Sequence, residues 1–138
     1  MNTTRRHFIK LSTAGVFSLA ARQTPLFAEK TPAPMRILIL GGTGFTGPYQ
    51  VKYALSRGHK VTTFNRGKTH PGELPAEVEQ LVGDRNGNLE ALKNRKWDVV
   101  IDNPTTLPAW VRDAAQVLKG NVDRYVFIST ISVYGESK

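Results

Sequence analysis

From residue 36 onward, short apolar runs alternate with amphipathic stretches. Arg36-Ile37-Leu38-Ile39-Leu40 is almost continuous in branched apolar side chains, the pattern of a strand buried on both faces. A glycine-rich segment, Gly41 to Gly47, ends that run. Gln50 to Arg57 then reads as a helix, with Pro48 tolerated in the first turn and Gly58 as the stop. Lys60 to Phe64 predicts a second strand and Val78 to Val82 a third. Asn88 to Lys93 predicts a short helix, and Trp97 to Ile101 a fourth strand. Ala109 to Leu118 places Val111, Ala114, Ala115 and Leu118 at helical spacing, and Tyr125 to Ser129 predicts a fifth strand. The connection from Asn65 to Glu77 holds Pro71, Gly72 and Pro75 and reads as a loop. Strands alternating with helical segments imply βαβ units and a parallel sheet, hence an α/β class.

The first 28 residues break this pattern. Thr4-Arg5-Arg6-His7-Phe8-Ile9-Lys10 precedes Leu11 to Ala21, a modestly apolar stretch too short to span a bilayer as a helix. A hydroxyl residue, two arginines, a spacer, Phe and Lys resemble a twin-arginine export signal. The resemblance implies export of a folded protein to a periplasmic or other extracytoplasmic site. Ala28 is the expected cleavage point, although Leu26 is larger than the usual small residue there. The alternative is an amphipathic helix packed on the domain. Residues 29–34, with Thr31-Pro32-Ala33-Pro34, read as an extended linker.

Composition changes this picture little. The 138 residues are about one domain, with 40% hydrophobic and 22% charged side chains. The absence of cysteine excludes a disulfide framework, a thiol nucleophile and Cys-ligated metal. A formal charge of +8 suggests nucleic acid, but residues 1–28 contribute four cations and no acids. The rest carries 15 basic residues against 11 acidic, a net +4 without a basic stripe or an aromatic-interleaved patch. That distribution argues against nucleic acid as the main partner.

The candidate chemistry sits in Gly41-Gly42-Thr43-Gly44-Phe45-Thr46-Gly47. Read from Gly42 it is G-x-G-x-x-G; read from Gly41 it is G-x-x-G-x-x-G. The early glycines allow a tight turn and bring backbone N–H groups to a pyrophosphate. Gly47 lets the following helix pack closely on the strands. Strand, loop and helix in succession supply the context this pattern needs, and the lack of a following Lys-Ser/Thr rejects a P-loop NTPase. A Rossmann-type sheet of order 3-2-1-4-5 follows, binding NAD or NADP. An NAD-preferring protein places an acid about 20 residues beyond the loop. Phe64-Asn65-Arg66-Gly67-Lys68 offers none, and Arg66 with Lys68 suits a 2′-phosphate, which favours NADP; otherwise Arg66 is a solvated loop cation.

These residues, with Asn65-Arg66-Gly67, Gly83-Asp84-Arg85 and Tyr125 to Tyr134, resemble the NAD-dependent epimerase/dehydratase group of extended or atypical short-chain dehydrogenase/reductases. The resemblance covers its N-terminal half, from about Met35 to Tyr134. It implies that Asp84 lies beside the adenine amino group, with Arg85 next to it; capping a turn is the alternative role for Asp84. It also implies a catalytic Ser or Thr after the fifth strand, matched by Thr130 with Ser132 second, and a Tyr-x-x-x-Lys pair on the next helix. Tyr134-Gly135-Glu136-Ser137-Lys138 spells that pair, but it begins four residues after Thr130 and Gly135 disfavours helix, so we read it as a decoy. The resemblance therefore implies a domain (35–138) truncated after the fifth strand, without its catalytic helix and substrate region. Three functions follow as expectations. One is the cofactor-binding part of an epimerase, dehydratase or reductase acting on a nucleotide sugar or a related carbonyl or alcohol compound. The others are a non-catalytic nucleotide-binding module, sensor or RNA-associated, and an inactive truncated product.

Overall fold

A computed structural model describes residues 33–69, 72–105 and 107–129. The predicted export segment 1–28, residues 29–32 of the linker, and Thr130, Ser132, Tyr134 and Lys138 lie outside the described residues.

Five strands form one parallel sheet: β1 (Arg36–Leu40), β2 (Lys60–Asn65), β3 (Glu79–Val82), β4 (Trp97–Asp102) and β5 (Val122–Phe127). Their order is β3-β2-β1-β4-β5, as expected from right-handed crossovers in a dinucleotide-binding fold. Helix α1 (Gly47–Ser56) links β1 to β2 and α2 (Pro108–Leu118) links β4 to β5. Between β3 and β4 the expected helix over 88–93 is a single 3-10 turn, Glu90–Leu92. Leu92 alone of its three residues is buried, too small an apolar face to hold a longer helix on the sheet.

Alternation along β1 explains the layers. Leu38 and Leu40 join Phe64, Val100, Ala114 and Leu118 in one cluster, while Ile37 and Ile39 join Val51, Ala54 and Val61 in the other. Successive strand side chains point to opposite faces, so α2 covers one face and α1 the other. Leu38, Ile39, Leu40, Val51 and Val100 are wholly buried. At the opposite end of β1 from the glycine loop, Arg36 and Asp98 pair at 2.7 Å and tie the start of β1 to β4.

The fifth strand begins three residues earlier than its apolar run and ends at Phe127 instead of Ser129. Val122, Asp123 and Arg124 carry no strand signal of their own. They are strand because β4 supplies the ladder, pairing Trp97 with Val122 and Val99 with Arg124. Helix α1 also begins earlier than its apolar spacing, at Gly47, because Pro48 suits a first turn. Among the described residues, no helix is long and apolar enough to cross a membrane.

Candidate functional site

All five parallel strands end on one side of the sheet, and the direction in which successive strands are added reverses between β1 and β4. Such a switch point leaves a crevice outside the strand ends, where ligands of open α/β sheets bind. Here the crevice is a cavity of about 520 Å³. Its wall comes from the glycine loop, from Phe64, Asn65 and Arg66 at the end of β2, from Gly83, Asp84 and Arg85 after β3, and from Asn103, Pro104, Thr105 and Trp110 after β4.

The loop glycines separate into different tasks. Gly41 turns the chain at φ +83°, a conformation side chains disfavour. A Cβ on Gly42 would lie 2.5 Å from Cγ2 of Thr63 on β2, and one on Gly47 would lie 2.3 Å from the Gly42 carbonyl. The front of α1 therefore rests directly on the loop backbone. Gly44 differs: a Cβ there meets nothing nearer than the Gly41 carbonyl oxygen, at 3.8 Å. It borders the cavity instead of the protein interior. Thr43 is buried, whereas Phe45 is 94% exposed at the cavity rim and Thr46 is exposed. Helix α1 starts without a side-chain cap and without an acid in its first turn, so its N-terminal dipole is left for an anion.

Two residues that the sequence did not single out hold this loop. Asn103, one residue past β4, and Gln50 of α1 exchange amide hydrogen bonds in both directions, each 2.9 Å. Asn103 Oδ1 also accepts from Thr46 Oγ1 at 3.3 Å, and its Nδ2 donates to the Gly41 carbonyl at 3.5 Å. The sequence did carry a signal: Asp102-Asn103 puts two polar residues at the C-terminal end of an apolar strand, where sheet ligands bind.

The remaining predicted residues fall as follows. Asn65 Oδ1 accepts from the Gly67 amide at 2.7 Å, closing the turn after β2. Arg66 is exposed and borders the cavity; Lys68 is exposed and does not. Asp84 borders the cavity and has the capping role, its Oδ1 accepting from the Asn86 amide at 2.9 Å. Arg85 also borders it, with a guanidinium paired to Asp102. Asp102 is wholly buried and accepts a second hydrogen bond from the Tyr125 hydroxyl. Burial first, and the adjoining Asp102 carboxylate second, push that hydroxyl well above its ordinary value.

The residues present fit a dinucleotide. Among the described residues, the buried Asn65 Nδ2, Arg85 Nη1 and Thr105 Oγ1 have no hydrogen-bond partner, and all three residues line the cavity. Buried polar groups are ordinarily paired, so these atoms mark where a polar ligand would complete the wall.

Residues 37–138 match the NAD dependent epimerase/dehydratase family. The chain belongs to that family. This family member is 31% identical over 117 residues to the chloroplast stem-loop binding protein of 41 kDa b of Arabidopsis thaliana, covering 74% of the chain and 31% of the relative. It superposes on a UDP-galactose 4-epimerase with TM-score 0.65 and 24% identity, over 75% of the chain and 41% of the epimerase. It superposes on the Bordetella bronchiseptica enzyme WbmG in complex with NAD with TM-score 0.64 and 22% identity, over 79% of the chain and 41% of WbmG. Likeness at that identity establishes the shared fold. The family member spans a third to two fifths of these relatives' lengths.

Proposed function

We propose that this chain is the NAD(P)-binding part of an epimerase, dehydratase or reductase acting on a nucleotide sugar or a related carbonyl or alcohol compound. One observation carries the reading: Gly44 stands open to the cavity at the uncapped start of α1. The backbone of Gly41 to Gly44 and the α1 N-terminus would hold the pyrophosphate, Asn65 and Arg66 the adenosine ribose, and Gly83 to Arg85 the base. When bound, the dinucleotide supplies hydride transfer. Thr130, with Ser132 second, is the hydroxyl that the family resemblance assigns to the reacting oxygen, and Tyr134 and Lys138 stay outside the chemistry.

The exposed Arg66 at the end of β2, with no acid beside it, supports NADP over NAD. Calorimetric titration of NADPH against NADH tests both points. NADPH is expected to bind about tenfold tighter, the value of one charge-assisted contact. A folded sample that binds neither dinucleotide sinks the reading, and tighter NADH binding reverses the preference.

The similarity to a stem-loop binding protein supports a second reading, a nucleotide-binding module associated with RNA. Retardation of a stem-loop RNA at physiological salt, without hydride transfer on dinucleotide addition, would favour that reading over the enzyme.

A further inference from the structure

The surplus of +4 beyond residue 28 forms no run of like charges in the sequence, but the fold gathers it on one unit. Residues 33–69, which build β1, α1 and β2, hold Arg36, Lys52, Arg57, Lys60, Arg66 and Lys68 and no acid. Residues 72–138 hold eight cations against ten acids. Pairing sharpens the contrast. Among the described residues, Arg36 alone of the six enters an ion pair, with Asp98, whereas Arg85, Lys93, Arg95 and Arg112 each meet a carboxylate.

Helix α1 crosses this acid-free unit with its outer face exposed. Val51 and Ala54 pack on the sheet, and the opposite side presents Tyr49, Lys52, Tyr53 and Ser56. Tyr49 is 74% and Tyr53 68% exposed. At a spacing of i and i+4 they project from the same side of the helix, about 6 Å apart along its axis. Unlike Phe45, neither borders the dinucleotide cavity. Below the last turn of α1 the surface sinks into a second cavity of about 690 Å³, where Leu55 and Gly58 meet Lys60 and Lys96. Glu79 in the same wall is spent on Arg95 at 2.6 Å and on Thr62 at 3.1 Å.

We propose that the outer face of α1 binds single-stranded RNA, with Tyr49 and Tyr53 each stacking on a base and Lys52, Arg57 and Lys60 following the phosphates toward the second cavity. The inference rests on the RNA-associated reading above and gives it a surface; the dinucleotide cavity has no part in it. Aromatic rings beside unpaired cations are the combination that holds a single strand without reading its sequence. A duplex hides the faces of its bases, so the unpaired part of a folded RNA is the part that fits. Other occupants match this face less well. It carries no Leu, Ile, Phe or Trp, so it offers a bilayer nothing to insert. A second copy docked face to face would set Lys52 and Arg57 against their own counterparts.

The test is fluorescence anisotropy of the full chain with an end-labelled oligouridylate of about 12 nucleotides, a length within the range of such sites. Tyr49→Ala and Tyr53→Ala are each expected to weaken binding about tenfold, the value of one lost stacking contact, at an unchanged melting temperature. Tyr53→Phe keeps the ring and should bind as the wild type does. Lys52→Gln should instead flatten the dependence of log affinity on log salt by about 0.7, the value of one phosphate contact on a single strand. Saturating NADPH should leave the RNA in place. Wild-type binding that ignores both alanine substitutions, or that NADPH displaces, overturns the assignment to α1 and leaves the RNA reading standing. A wild type that binds no RNA overturns both. Should an alanine variant melt early, the salt dependence of Lys52→Gln decides. Tyrosine-dependent dimerisation or sedimentation with phosphatidylserine vesicles, with RNA affinity indifferent to the tyrosines, assigns the face to another occupant. Tighter binding of the deoxyribo strand overturns the choice of RNA.

Discussion

A methyl group added to Gly47 and the same group added to Gly44 should have opposite effects. At Gly47 it would lie 2.3 Å from backbone atoms of Gly42, which cannot give way without moving α1. Gly47→Ala is therefore expected to lower stability by about 1–3 kcal/mol in urea denaturation, as overpacking does. Gly44→Ala meets no protein atom closer than 3.8 Å, so stability should hold while dinucleotide affinity falls at least about tenfold. If both substitutions destabilise equally, the division of labour among the glycines is wrong. Tyr125 gives a pH signature at the same scale. Its folded pKa is raised above the ordinary 10.0, so its contribution is complete below that value and is lost as pH climbs beyond it. Stability of the wild type should fall more steeply above about pH 10 than that of Tyr125→Phe, followed by circular dichroism in urea.

At the scale of elements, the glycine loop is held by a strap from β4. Gln50→Ala removes half of the amide pair and leaves the buried Asn103 amide partly unsatisfied. A cost of about 1–2 kcal/mol is expected, with faster amide exchange at Gly41 to Gly44 than elsewhere in the sheet. Uniform exchange would show that the loop stands without the strap. The same elements mark what a reader of the sequence could recover. β1 is legible to the residue because its burial follows from side chains alone, and strand order follows from crossover handedness together with the glycine fingerprint of a dinucleotide fold. β5 is displaced because the ladder with β4 recruits Val122, Asp123 and Arg124, which local preference does not mark. The glycine loop is legible because its spacing is local. Asn103, Gln50 and the Arg85–Asp102–Tyr125 group are not, because each depends on residues 17 to 53 positions apart in the chain.

At the scale of the whole molecule, the sheet has two edge strands, β3 and β5. Among the described residues, β5 pairs with β4 alone, and Val126 is 37% and Phe127 43% exposed. An open apolar strand edge is a template for pairing with another chain. Val126→Lys should therefore raise the protein concentration at which light scattering first reports aggregates, with no change in the melting temperature. Unchanged aggregation would place the liability elsewhere. Among the described residues, β3 at the other edge carries Glu79 and Gln80 exposed, together with Val82 at 65%.

Phe45 stands at the mouth of the crevice with almost its whole ring in solvent, in a polypeptide that contains no sulfhydryl of its own. Phe45→Cys would thus install a solitary reactive handle beside the proposed ligand site without competing thiols to block or mutate away. Its rate of labelling by a maleimide would become a gauge of occupancy, slowed by a bound dinucleotide and unaffected by a molecule that settles anywhere else on the surface.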